Sequence, residues 1–101
     1  MKLWWIEDED DIREIVKGFI EDVFPSVPLF SVEHWDKCFA KPGDVVVHDM
    51  EGVGNQNKIS GVSYYSCSGN IKFTVDLPKP FSFDELEVFL KDILIKVGYS
   101  F

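Results

Sequence analysis

The sequence predicts an open α/β domain built on a parallel sheet, and three observations carry that reading. The run Leu3-Trp4-Trp5-Ile6 is apolar at every position, as a central strand covered on both faces should be. Further apolar runs, Val45-Val46-Val47, Val62 to Tyr65 and Ile71 to Leu77, are separated from it by segments of helical or turn-forming character. Chemistry-bearing residues follow the runs at their C-terminal ends: Glu7-Asp8, Asp49, Ser66 and Lys79. In an open α/β sheet the strand C-termini line the ligand crevice, so these residues converge on one edge.

After the first strand, Ile12, Ile15, Val16, Phe19, Ile20 and Val23 recur at helical spacing and predict a helix over 10–22. Glu9, Asp10 and Asp11 suit its positive N-terminus, and Pro25 ends it. A strand near 27–31 carries Val27, Leu29 and Phe30, and a helix near 33–40 contains Trp35 and Phe39. Pro42-Gly43 is a turn that launches a strand over 45–48. Residues 50–61 hold Gly52, Gly54, Asn55, Asn57 and Gly61 without a helical stripe, and read as a polar loop. A strand over 62–66 runs into a turn, Cys67-Ser68-Gly69-Asn70. Ile71, Phe73, Val75 and Leu77 then alternate with Lys72, Thr74 and Asp76, predicting a strand over 71–77 with one wet face. A capping box, Ser82 with Glu85, starts a helix over 83–97 whose stripe is Leu86, Phe89, Leu90, Ile93, Leu94 and Val97, with Gly98 as its stop. The expected strand order is 2-1-3-4-5, with helices 10–22 and 83–97 on one face and 33–40 on the other. The alternative is an antiparallel hairpin closed by Ser68-Gly69-Asn70, which would carry Lys79 away from Asp49.

A chain of 101 residues fits one domain, 1–101, and 46% apolar content with 15% aromatics calls for a packed core. A net charge of −8 excludes direct binding of nucleic acid or an anionic membrane, which needs clustered Lys and Arg. Met1-Lys2 runs straight into a strand, and no apolar run is long enough to span a bilayer, so a cytoplasmic location is expected. Cys38 and Cys67 lie at no metal spacing and form no disulfide framework. Cys38 is expected as a buried helix residue, and Cys67 as a small packing residue.

A carboxylate pair, a lone carboxylate, a hydroxyl and a lysine, in that order, suit a divalent cation beside a phosphorylatable aspartate. Mg²⁺ keeps several waters, so one or two carboxylates plus phosphate oxygens suffice to hold it. Blander readings stand beside this one. Glu7 to Asp11 equally suit a dipole-favoured helix start, Asp49 could cap a turn, and Ser66 and Lys79 say nothing singly. His48 reads as a packed strand residue, and Trp4, Trp5, Trp35, Tyr64 and Tyr65 as core or sheet-face residues.

Taken together, these segments resemble the receiver domain of bacterial two-component response regulators. Trp5-Ile6-Glu7-Asp8-Glu9-Asp10-Asp11-Ile12-Arg13 is similar to that family's opening strand and acidic pair. Asp44-Val45-Val46-Val47-His48-Asp49-Met50 resembles the strand ending in the phosphoacceptor, and Val62-Ser63-Tyr64-Tyr65-Ser66 the strand ending in the site hydroxyl. Leu77-Pro78-Lys79-Pro80-Phe81-Ser82-Phe83-Asp84-Glu85-Leu86 resembles the final strand, lysine-proline turn and last helix. The resemblance spans the chain in order and implies a flavodoxin-like fold. It implies that Asp49 accepts a phosphoryl group from a histidine kinase or phosphotransfer protein, with no turnover beyond self-dephosphorylation. Asp8 would bind Mg²⁺ directly, Glu7 through water, and Asp49 and the backbone carbonyl of Glu51 would complete the protein ligands. Ser66 would hydrogen-bond the phosphoryl oxygen, and Lys79, beside a cis bond to Pro80, would pair with its charge. Output would pass through noncovalent binding of a downstream protein.

The departures from that pattern are equally specific. Residues 50–61 and 67–70 are too few for two helical crossovers, so the third helix is expected lost or reduced and the fourth absent. Glu7 replaces the commoner aspartate. Asp76 stands three before the lysine, where the family carries the aromatic that reports phosphorylation. A phosphorylation-independent pseudo-receiver, acting as an interaction or dimerisation module, is therefore the competing reading. A looser likeness of Asp49-Met50-Glu51-Gly52-Val53 to the nucleophile motif of haloacid-dehalogenase-type phosphatases would make Glu51 an acid/base, but the chain is short for that fold. With helices missing, the face of strands 45–48, 62–66 and 71–77 loses cover, and a homodimer or obligate partner is expected there, with Tyr99 and Phe101 as a second contact.

Overall fold

The structure, a computed structural model, describes residues 1–48, 58–68 and 75–100. Strands β1 (Leu3–Ile6), β2 (Leu29–Val32), β3 (Val45–His48), β4 (Ser63–Ser68) and β5 (Leu77–Pro78) form one sheet in the order β2-β1-β3-β4-β5. Every pairing is parallel, β4 with β5 included, so the hairpin alternative is not what forms. Two α-helices, α1 (Asp10–Val23) and α2 (Phe83–Lys96), stand among the described residues.

Alternation along the strands divides the core between two faces. On the first, Leu3, Trp5, Val45, Val47, Cys67 and Leu77 meet Val16 and Ile20 of α1 and Leu86, Leu90, Ile93 and Leu94 of α2. Each such aliphatic side chain contributes about 1.5–3 kcal/mol by leaving water. On the second face Trp4, Ile6 and Val46 pack with Ala40, backed by the half-buried Trp35, Cys38, Val62 and Tyr64. The aromatics thus serve as packing residues, as expected, and His48 is half-buried at the end of β3 with its ring centroid 4.8 Å from that of Trp35.

Both helix boundaries follow from their sequences. The Phe24 N–H donates to the Ile20 carbonyl at 2.8 Å and closes α1 just ahead of Pro25, which disfavours helix in the residue before it. The capping box of α2 is complete: Glu85 N–H donates to Ser82 Oγ and Ser82 N–H to Glu85 Oε1, each at 3.1 Å. Gly98, at φ +90°, ends the helix.

Three expectations are corrected. Instead of a helix over 33–40 there is one 3₁₀ turn, Trp35–Lys37. The inward residues that follow, Cys38 and Ala40, are two apart, a spacing that aligns on one side of an extended chain and splays around a helix. Cys38 is accordingly half-buried outside any helix. The turn expected at 67–70 begins later, because Cys67 and Ser68 belong to β4. The strand expected over 71–77 pairs only at Leu77–Pro78, with 71–74 outside the described residues. The pairing of β5 with β4 among the described residues is Cys67↔Leu77 and Ser68↔Pro78, near the C-terminal edge. Of the loop expected over 50–61, only Lys58 to Gly61 is described, ending in a turn.

One buried carboxylate anchors the opposite edge of the sheet. Asp44, 6% exposed, accepts from Lys2 N–H at 2.9 Å, Lys41 N–H at 3.0 Å and Trp4 Nε1–H at 3.2 Å. Burial pushes its carboxyl up, but the Lys41 and Lys2 amides, the Trp4 indole and the N-terminal ammonium outweigh it and hold the group below the usual aspartate range. No helix among the described residues is long and apolar enough to cross a membrane.

Candidate functional site

The sheet register brings strand ends to one level. Ile6 pairs with Val32 and with His48, and His48 pairs with Ser66. Glu7 emerges from β1 directly after Ile6, and Lys79 follows the last residue of β5. Asp49, the next residue after His48, and Glu51 lie outside the described residues.

Glu7 is fully buried, and its carboxylate takes a charged partner from the far end of the chain. Lys79 Nζ donates to Glu7 Oε1 at 2.9 Å, while Glu7 Oε2 accepts the Glu9 N–H at 3.3 Å. The Glu7 carbonyl accepts from Arg13 at 3.0 Å, tying the strand end to the first turns of α1. A lone carboxylate out of water would be strongly disfavoured; the ammonium and the amide are what make this burial tolerable. Asp8, next in the chain, is exposed. Lys79 precedes Pro80 through a cis bond, as the resemblance implies.

Ser66 is engaged from the β5 side. Its N–H donates to Asp76 Oδ2 at 2.8 Å, its Oγ donates to the same oxygen at 3.3 Å, and the Asp76 N–H donates back to the Ser66 carbonyl at 2.9 Å.

The structure therefore brings Glu7 and Lys79 into contact and holds Ser66 on the same edge, with Asp8 beside Glu7 at the surface. Two contacts escape a reading of the sequence alone. The Glu7–Lys79 pair links residues 72 positions apart, and no local spacing announces it. The hold of Asp76 on Ser66 has a visible signal, a carboxylate at an unexpected place, but its partner does not. Among the described residues no group of three or more His, Cys, Asp or Glu gathers to hold a metal ion.

Beside the site an apolar groove of about 550 Å³ runs between α1 and the turn after β5, lined by Ile12, Ile15, Val16, Pro80, Phe81 and Phe83, with Lys79 at its side. Comparison of the chain with protein-family models, with curated proteins and with solved structures finds no match.

Proposed function

We propose that this chain is an atypical single-domain receiver of two-component signalling, flavodoxin-like in fold, that accepts a phosphoryl group at Asp49 and acts through a downstream protein partner. One contact carries the reading: Lys79 Nζ lies 2.9 Å from Glu7 Oε1, although β5 and β1 are separated in the sheet by β3 and β4. Such a contact spans the C-terminal edge of the sheet, on which β3 ends at His48, the residue before Asp49 in the sequence. Phosphoryl transfer through a loose transition state asks for little more than positioning and positive charge on the equatorial oxygens. On this reading Lys79 supplies part of that charge and Ser66 a hydrogen bond. The donor set, adjacent carboxylates with Asp8 open to water, suits a hard cation. Mg²⁺ would be held by Asp8 and Asp49, by Glu7 through water and by the Glu51 carbonyl, and would supply the remaining charge. The donor of the phosphoryl group would be a histidine kinase or phosphotransfer protein, in the cytoplasm.

A second reading, the phosphorylation-independent pseudo-receiver, draws on a specific observation. Lys79 is already held by Glu7, and Ser66 by Asp76, so each group a phosphoryl oxygen would need has a carboxylate on it. Two-dimensional NMR with Mg²⁺ and beryllofluoride, and intact mass after acetyl phosphate, separate the two. The receiver reading expects shifts at the C-terminal edge and a one-phosphoryl mass gain, both lost in Asp49→Asn. No change dependent on Asp49 would leave the pseudo-receiver in its place.

A further inference from the structure

The two large apolar side chains most open to water stand on opposite sides of the sheet, and their surroundings carry opposite charge. Phe39 is 71% exposed and Val88 69%, ahead of every other large apolar side chain described. Phe39 leaves the 3₁₀ turn on an alternating stretch: Cys38 and Ala40 turn inward against the second face, while Lys37, Phe39 and Lys41 are exposed. Residues two apart on such a stretch share one side of the chain, so the ring projects between two lysines. Lys37 pairs with Glu33 at the surface, a kind of contact that exchanges readily.

Val88 belongs to a hollow of about 400 Å³ between β5 and the first turns of α2, distinct from the groove beside the site. Leu77, Val88 and Phe89 make its apolar wall. The other lining residues are Asp76, Asp84 and Glu85, all exposed, so carboxylates form part of the wall itself and no Lys or Arg does. Hydrogen bonds from Ser66 and Ser82 fix Asp76 and Glu85 in place, and neutral donors of this kind leave a carboxylate's charge uncancelled. Lys96 feels the charge of Asp76 but is held by Asp92 at 2.9 Å. A hollow lined in this way selects an apolar group that arrives with cations beside it. The stretch from Lys37 to Lys41 is that combination, and its ring and Val88 are the two apolar groups that gain most from being covered.

We propose that the chain self-associates head to tail, with Phe39 of one copy against Val88 and Phe89 in the β5–α2 hollow of the next, and Lys37 and Lys41 against Asp76, Asp84 and Glu85. Cys38 and Ala40, which carry the ring, pack on the second face, whereas Leu77 and Phe89 belong to the first, so one molecule cannot satisfy both internally. Because the two surfaces differ, the contact is heterologous and adds copies in series. It does not rest on the phosphoacceptor reading and needs no phosphoryl group.

Sedimentation of the whole chain, with two-dimensional NMR to locate the contact, tests this through complementation. Wild-type mass should rise with concentration between micromolar and millimolar, and the amide shifts that move with it should gather in 37–41 and 84–89. Phe39→Glu and Val88→Lys, both at exposed positions, should each weaken association at least about tenfold. Mixing them should restore one intact contact, hollow of the first with ring of the second, giving a 1:1 dimer that grows no further. Should either fail to fold by circular dichroism, the exposed charge reversals Lys41→Glu and Asp84→Lys run the same complementation. A wild-type monomer at millimolar concentration, shifts confined to other surfaces, or mixtures that stay monomeric would overturn the proposal.

Discussion

Removing the ammonium from the Glu7–Lys79 pair should leave a buried carboxylate without its charged partner. Lys79→Met keeps the length and apolar stem of the side chain but leaves the Glu7 carboxylate, 0% exposed, with one partner fewer. Breaking a buried pair from one side costs about 3–5 kcal/mol. The Glu9 amide stays on the second oxygen, and the Lys79 side chain is itself 22% exposed, which lowers the figure to about 2–3 kcal/mol. In a domain of this size that is a fall in Tm of roughly 8–24 °C. Glu7→Leu should cost less, about 1–2 kcal/mol, because the freed lysine can turn its head to water. The double variant replaces the pair with apolar groups and should lie close to wild type, since such swaps are often neutral or stabilising. Urea unfolding of the four proteins closes the cycle, with an expected coupling of about 3–5 kcal/mol. Additive single effects, with coupling below about 0.5 kcal/mol, would show that the pair carries no interaction of consequence.

Three further outcomes are expected. Asp44→Asn should destabilise by about 2–3 kcal/mol at neutral pH, since an amide group would face buried donors that now meet an oxygen. Because the folded Asp44 carboxyl is held below its ordinary value of 3.8, this stabilisation is complete above that pH and is lost as pH falls through the folded value. Thermal unfolding across an acid series should therefore show wild type and Asp44→Asn converging below that point, with parallel curves refuting it. Ser82→Ala removes the acceptor of the capping box and should cost about 1 kcal/mol by chemical denaturation, with Ser82→Gly milder. On the receiver reading, Asp76→Ala frees the Ser66 hydroxyl and should tighten beryllofluoride binding in an NMR titration; unchanged or weaker binding would show that the Asp76 contact does not restrain the site.

Where the residues themselves dictate geometry, the sequence was a sufficient guide. Leu3–Ile6 and Val45–His48 stand at the expected positions, because unbroken apolar runs, four residues in the first and three in the second, have few ways to be buried except in the middle of a sheet. Helix α2 begins at its capping box and α1 ends before Pro25, as local chemistry requires. The segment 33–40 misleads because Trp35 and Phe39, four apart, imitate a helical stripe; only packing reveals that Phe39 faces out and Cys38 and Ala40 face in. The clean alternation of residues 71–77 signals strand propensity; among its described residues Leu77 pairs with β4 while 75 and 76 do not, and 71–74 lie outside the described residues. Glu7, Ser66 and Lys79 could be assigned to one edge from strand order, but not their partners, since side-chain pairing across 72 positions is a property of the assembled fold. Asp44 passed unnoticed because its donors, Lys2, Trp4 and Lys41, are two backbone amides and an indole, groups every chain has.

The brevity of β5 has a consequence for strand addition at the border of the sheet. A sheet ends in two open borders, and a long flat border with free amides is a template on which another chain can add a strand without limit. Among the described residues, one border here is a two-residue strand whose second member, Pro78, has no amide hydrogen to give. The other is β2, only four residues long and entered through Pro28. Among the described residues neither offers an incoming strand a run of donors and acceptors long enough to nucleate on.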